Sequence, residues 1–278
     1  MSEAEGAPRP VLGRPRLHFR RVDSTNERAR ALAIAGAPHG ALVSAAEQTA
    51  GRGRQGRSWE APAGSALLCS LLVRDPPPLL SLIAGVAVCD VVGEDALLKW
   101  PNDVVLPERP IAPGTEDPLN AEDPLDAEDP PNAEDPPDMG ARPDEGGTAL
   151  KPRKLAGILV EGRPQDAWAV LGIGLNVAVR IEQLPPQLRM RAATMGLASD
   201  AIEATLQRLL LALERRLAEP TETLLEAWRA RDALRGREVS WEGGRGRAGG
   251  IDERGRLLVV LADGSLAALD AGEVHLAL

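Results

Sequence analysis

The chain has 278 residues, 44% of them hydrophobic but only 2% aromatic, with 41 acidic and 32 basic residues for a net charge of −9. Such a length buries a sizeable core and suits one large domain with a small companion. No run of 18 apolar residues occurs, residues 1–15 lack the apolar segment of a secretory signal, and three scattered His with two lone Cys build no zinc site, which excludes a membrane-spanning helix, a secretory leader and a zinc centre.

Residues 1–16, acidic then basic and Pro-rich, are expected to form a disordered tail. Leu17–Val22 reads as a strand. Ser24 or Thr25 then caps a helix over Asn26–Ala35, closed by Gly36 and Pro38. Ala41–Ala46 and Ser65–Val73 read as strands, and Leu79–Val92 as a helix apolar on most sides. Further strands are expected at Leu97–Trp100, Val104–Leu106, Lys154–Glu161 and Ala167–Leu175, and helices at Asp200–Ala218 and Thr221–Leu234. From residue 236 the pattern changes to short strands around Gly and Asp-Gly turns, which points to a small β-barrel over 236–278. The fold class is therefore α+β: a mixed or antiparallel sheet with helices on one face, over 17–235, followed by the barrel. Cys69 and Cys89 fall in apolar runs and read as reduced, buried hydrophobes, which suits a cytoplasmic setting. Trp228 and Trp241 read as core.

Residues 107–152 interrupt this order. The hexad Glu-Asp-Pro-Leu-Asn-Ala begins at residue 116 and recurs with drift at 122, 128 and 134. The segment holds 13 acids against 3 bases, a net −10, so the rest of the chain carries about +1 of the total −9. A Pro-rich acidic repeat buries too little apolar surface to offset chain entropy and is expected to be disordered.

The stretch Glu47–Trp59 concentrates Gly51, Gly53 and Gly56 with Arg52, Arg54 and Arg57. Glycine permits close approach to the backbone, and arginine supplies planar donors suited to carboxylate and phosphate. The glycines fit the dinucleotide spacing G-x-G-x-x-G, but Ser58 to Pro62 make a poor helix start. RNA-binding Arg-Gly segments repeat, and this one does not. A solvated Arg-rich loop is the bland alternative; an ordered anion-binding loop accounts best for the composition.

Four more motifs accompany that loop in order: Asp23-Ser24-Thr25-Asn26, Lys99-Trp100-Pro101-Asn102-Asp103, Lys154–Glu161, and Gly172-Ile173-Gly174-Leu175-Asn176. From about Leu17 to Leu278 the set resembles the biotin protein ligases. The resemblance implies a class II synthetase-like catalytic fold with an SH3-like tail. It also makes 107–152 an insertion at a hairpin tip, where family members have a short turn.

The activity implied is ATP-dependent: biotin becomes biotinyl-5′-adenylate, and a lysine of a biotin carboxyl carrier domain then takes the biotin. Ser24, Thr25, Asn26 and Gln48 would meet the ureido ring. Arg52, Gly53 and Arg54 would close over biotin and phosphate, with Gly157 allowing close approach. Lys154 would bridge the biotin carboxylate and the α-phosphate. Lys154, Arg54 and Asp103 are the catalytic candidates, Asp103 acting on the incoming lysine or on Mg²⁺. Arg54, Arg57, Trp59, Asn102, Lys154 and Asn176 would bind the nucleotide, with Gly172 and Gly174 admitting adenosine. Mg²⁺ is expected with the ATP phosphates, and no metal ligand set is assigned. The 22 residues before Asp23 are too few for a helix-turn-helix domain, so a form acting without nucleic acid or membrane is expected, and a homodimer is left open. Two rivals are a lipoate–protein ligase and a non-catalytic module that binds biotinyl-adenylate.

Overall fold

The computed structural model describes residues 11–107, 152–163, 166–270 and 274–276. The disorder expected of residues 1–10 and of the acidic repeats lies outside the described residues. Residues 11–16, expected to be tail, belong instead to the folded body. Leu12 is buried, its N–H donates to Glu214, and Arg16 opens the first strand.

Strand β1 (Arg16–Phe19), helix α1 (Thr25–Ile34) and strand β2 (Leu42–Ala45) form a crossover unit, with β1 and β2 parallel. β3 (Ala66–Arg74), β4 (Leu97–Lys99), β5 (Asp103–Leu106), β6 (Arg153–Arg163) and β7 (Trp168–Asn176) complete a seven-stranded mixed sheet ordered β1-β2-β3-β7-β6-β5-β4. α2 (Leu80–Val92) lies between strands, short helix α3 (Pro186–Arg189) comes after β7, and α4 (Ala201–Leu217) and α5 (Thr221–Arg229) come next.

α2 is apolar all round because it is covered all round, by the sheet on one side and by α4 and α5 on the other. α4 and α5 instead bury one stripe each, Leu206, Leu209, Leu210 and Leu213 in α4 and Leu224, Leu225 and Trp228 in α5. Each such leucine, removed from water, contributes roughly 1.5–3 kcal/mol. The expectation of helices on one face holds for these three. α1 departs from it: Ala29 and Ala33 pack on Val43, Val170 and Leu72, on the opposite face.

α5 also ends five residues before the sequence pattern suggests. Leu98 N–H donates to Arg231 O at 2.7 Å and Ala233 N–H to Leu98 O at 2.9 Å, so residues 231–233 extend the open edge of β4. Satisfying an edge strand outweighs one more helical turn.

The last strands, β8 (Glu238–Trp241), β9 (Gly244–Ile251), β10 (Leu257–Val260), β11 (Leu266–Leu269) and β12 (His275–Leu276), form an antiparallel sheet ordered β11-β10-β9-β8-β12. It shares one hydrophobic core with the large sheet, through Val239, Ile251, Leu257 and Val259. Its β9–β10 turn docks at Gly255, whose carbonyl accepts from Trp100 Nε1 at 3.0 Å. Among the described residues no helix is long and apolar enough to cross a membrane.

β6 carries one irregularity near its start. Val104 pairs with Ala156, but Val105 pairs with Lys154, so Leu155 is an extra residue in β6. This β-bulge shifts the phase of the pleat by one.

Candidate active site

A cleft of roughly 310 Å³ opens on the α1 side of the sheet. It is lined by every site residue singled out from the sequence: Ser24, Thr25, Asn26, Gln48, Arg52, Gly53, Arg54, Arg57, Trp59, Asn102, Asp103, Lys154, Gly157 and Asn176. Its described lining carries six basic side chains (Arg52, Arg54, Arg57, Lys99, Lys154, Arg191) against two acids (Glu60, Asp103), a field that favours an anion.

The deep end is polar. Ser24, Thr25 and Asn26, at the start of α1, are 2%, 4% and 5% exposed. Gln48 Oε1 accepts from Thr25 N–H at 2.7 Å and from Thr25 Oγ1 at 2.9 Å, which leaves its Nε2 as the donor. Ser70 Oγ lies 2.6 Å from Asn26 Oδ1, to which it donates, and 2.8 Å from Thr25 Oγ1. Asp23 braces this corner: the Ser24 N–H, with Arg28 beside it, holds the Asp23 carboxyl below the ordinary carboxylate range. Ser24 Oγ is buried with no hydrogen-bond partner. An orphaned buried hydroxyl costs about 1–3 kcal/mol, and a ligand is the natural partner.

The middle is flat and apolar. Gly157 and Gly174 are paired across β6 and β7, and the Trp59 ring lies on them. A Cβ at Gly174 would come within 2.5 Å of that ring, and one at Gly157 within 2.9 Å. A Cβ at Gly172 would come 2.2 Å from Asn26 Oδ1. Gly157 and Gly174 thus admit Trp59, and Gly172 admits Asn26; at Gly172 and Gly174 the sequence suggested adenosine. Trp59 Nε1 is a second buried donor without a partner.

The third part is charged. Lys154 Nζ lies 2.7 Å from Asp103 Oδ1, without hydrogen-bond alignment, and 5.7 Å from the Trp59 ring centre. Lys154 and Gly157 are three residues apart, yet both line the cleft, because the Leu155 bulge lies between them. Arg54 Nη1 reaches Asn102 Oδ1 at 3.4 Å, and Asn102 is fixed by donating to Ile158 O at 2.7 Å.

The loop 47–59 is ordered as a small hairpin. Gly53 N–H donates to Arg57 O at 2.7 Å and Trp59 N–H to Gly51 O at 2.9 Å. These two peptide donors serve the loop's own fold. Arg52, which also lines the cleft, is ion-paired with Glu27 and Glu161. Asn176 is likewise engaged, donating from Nδ2 to Ala193 O at 2.9 Å.

Residues 18–177 match the Biotin/lipoate A/B protein ligase family, and residues 235–276 match the biotin protein ligase C-terminal domain. The chain belongs to the biotin protein ligase family. It is 32% identical, over 90% of its length and 85% of the relative's, to a biotin–[acetyl-CoA-carboxylase] ligase of Mycobacterium tuberculosis. It is 27% identical, over 95% of its length and 76% of the relative's, to the bifunctional ligase/repressor BirA of Bacillus subtilis. Among solved structures, the biotin protein ligase of Aquifex aeolicus in complex with biotin and ATP superposes with a TM-score of 0.65. It covers 95% of this chain and 99% of that one at 22% identity, which fixes a shared fold.

One wall of this biotin-ligase cleft escaped the sequence reading. Leu184, Leu188, Arg191 and Ala192 line it, and Leu184 and Leu188 pack toward Trp59. Backbone bonds clip this segment to the charged end, from Lys154 N–H to Arg191 O at 2.6 Å and from Ala193 N–H to Lys154 O at 2.7 Å. The apolar spacing Ile181, Leu184, Leu188, Ala192 was the available signal.

Proposed function

We propose that the cleft holds biotin with its ureido ring at Ser24–Asn26 and Gln48, its apolar body against Trp59, and its carboxylate at Lys154. The reaction then has two steps. A carboxylate oxygen attacks the α-phosphorus of ATP, the bond to the β-phosphate oxygen breaks, and pyrophosphate leaves. The amine of a carrier-domain lysine then attacks the acyl carbon of biotinyl-adenylate, and AMP leaves.

The observation that supports this most is the buried, partnerless Ser24 hydroxyl at the closed end of a slot that becomes cationic at its other end. A ureido group offers both a carbonyl and N–H donors to hydroxyl and amide side chains. Along β7, Gly172 faces Asn26, Gly174 faces Trp59, and Asn176 meets the segment bonded to Lys154. At about 3.3 Å per residue, those positions span roughly 13 Å. That run matches a ligand with a polar head, an apolar body and an anionic tail.

Lys154 holds Asp103 in the described state and would exchange it for the biotin carboxylate and α-phosphate. A compact ammonium sits between two anionic oxygens where a planar guanidinium fits poorly. Asp103 is thereby released toward the ammonium of the incoming lysine. Arg54, held by Asn102, and Arg57 would face the triphosphate. No three His, Cys, Asp or Glu cluster among the described residues. Mg²⁺ would enter on the nucleotide, supplying charge neutralisation of the phosphates. The acceptor is a biotin carboxyl carrier domain, and an ATP-containing, reducing cytoplasm suits both the chemistry and two buried thiols.

Incubation with ATP, Mg²⁺, biotin and a carboxyl carrier domain should add one biotinyl group per carrier, read by intact mass. Biotin-dependent ATP–pyrophosphate exchange is expected alongside. Exchange that responds to lipoate and not biotin would replace this reading with the lipoate one; binding of biotinyl-adenylate with no exchange would leave only the binding module.

A further inference from the structure

Glu161 lies on β6, four residues past Gly157, and is absent from the described lining of the cleft. Its side chain is 16% exposed and collects donors from two separate segments. Asn26 Nδ2, at the start of α1, donates to Oε2 at 2.8 Å. Arg52 Nη2, in the loop, lies 3.0 Å from Oε1, and Arg30 Nη2 lies 3.6 Å from the same oxygen.

We propose that Glu161 is a positioning residue that couples closure of the 47–59 loop to the orientation of the Asn26 amide. The inference rests on the reading of the deep end as the ureido site. The two ends of a carboxamide are nearly alike in shape, so its neighbours decide which end points where. A carboxylate only accepts, so Glu161 draws Nδ2 to itself and directs Oδ1 toward Ser70 and the cleft end. The same carboxylate, through Arg52, anchors the loop that carries Arg54 and Trp59 into the cleft. Charge-assisted contacts of this kind are about twice as strong as neutral ones. Withdrawal of Arg52 leaves the charge on Glu161 shared between Asn26 and the more distant Arg30. By linkage, a ligand that fixes Asn26 favours the closed loop, and a closed loop favours that ligand.

The test compares the unaltered protein with Glu161→Gln, Arg52→Gln and the double variant. Amide hydrogen exchange of residues 47–59, read without biotin or ATP, should quicken by at least about threefold in each variant, with β3 and β7 unchanged. In biotin-dependent ATP–pyrophosphate exchange, Glu161→Gln should raise the biotin KM by about tenfold and leave kcat within about threefold. Glu161→Asp should recover part of that KM. The double variant should be no worse than the worse single one, as expected of two groups in one coupling. Unchanged loop exchange, or additive effects of the two substitutions on KM, would overturn the proposal. If Glu161→Gln does not fold, Arg52→Gln, a change at a 44% exposed side chain, carries the same loop readout. The loop readout needs no substrate, so absence of biotin-dependent turnover in the unaltered protein would sink the ureido reading while the loop exchange still decides the coupling.

Discussion

The two faces of the large sheet are built from the same strands and do opposite things. On β7, Ala169, Leu171, Ile173 and Leu175 enter the main core, while Val170, Gly172, Gly174 and Asn176 alternate with them on the cleft side. The first set fills space and excludes water. The second is stripped to hydrogen at Gly172 and Gly174, beneath Asn26 and Trp59. One side of a strand sets stability, and the other sets what the protein can hold. A volume change should therefore be read out in different quantities according to the parity of its position.

The largest effect should come from the charge at the end of the cleft face. Lys154→Ala is expected to slow biotinyl-adenylate formation by about 10²–10³-fold, the usual scale for one preorganised electrostatic donor. Rapid-quench measurement of the first turnover checks it, and a near-normal burst would remove Lys154 from its role. Next come the glycines. In Gly174→Ala the new methyl meets the Trp59 ring, and in Gly172→Ala it meets Asn26 Oδ1. Displacing groups by an ångström or so can cost about 10²-fold, so kcat/KM for biotin should fall by about 10–10² in both variants, with thermal midpoints little moved. A fall in stability with kcat/KM intact would reverse the comparison. On the other face, Leu171→Ala should cost about 2–5 kcal/mol in denaturant unfolding while activity per folded molecule persists.

The smallest effect concerns the thiols. Burial pushes Cys69 and Cys89 up from 9.0 to about 12, so neither should react with an alkylating reagent at pH 8 until the protein unfolds. Between those two values the folded state holds more protons than the unfolded one, so this contribution to stability is complete below about pH 9 and is lost as pH rises toward 12. Urea midpoints at pH 8 and pH 10 check the sign; labelling of either thiol in native protein would contradict its burial.

Most strands and helices were legible because their signals are local: period, caps and Gly-Pro breaks. The cleft residues were legible because five motifs stood in a familiar order. What was hidden depended on contacts distant in sequence. Nothing local in Arg231–Ala233 reveals that Leu98 will stop α5 there. Nothing local around Arg52 reveals its ion pairs with Glu27 and Glu161, which arrive from other elements. The glycines announced a close approach, but only packing shows that Trp59 and Asn26 make it. The face chosen by α1 is a matter of crossover geometry, which composition does not encode.

The extra residue at Leu155 sets how this chain can change in length. In a regular strand, residues three apart point to opposite sides. Here Lys154 and Gly157 share a side because one position has been added to the count between them. Removing Leu155 would let β6 pair evenly with β5 and would turn the Lys154 ammonium toward an apolar layer holding Leu98 and Val104. The 44 residues of Glu108–Lys151 stand between β5 and β6 without altering that count, since they enter before the strand begins. Residues added ahead of β6 leave the pleat count untouched, while the four from Lys154 to Gly157 cannot lose even one and keep the ammonium in the cleft.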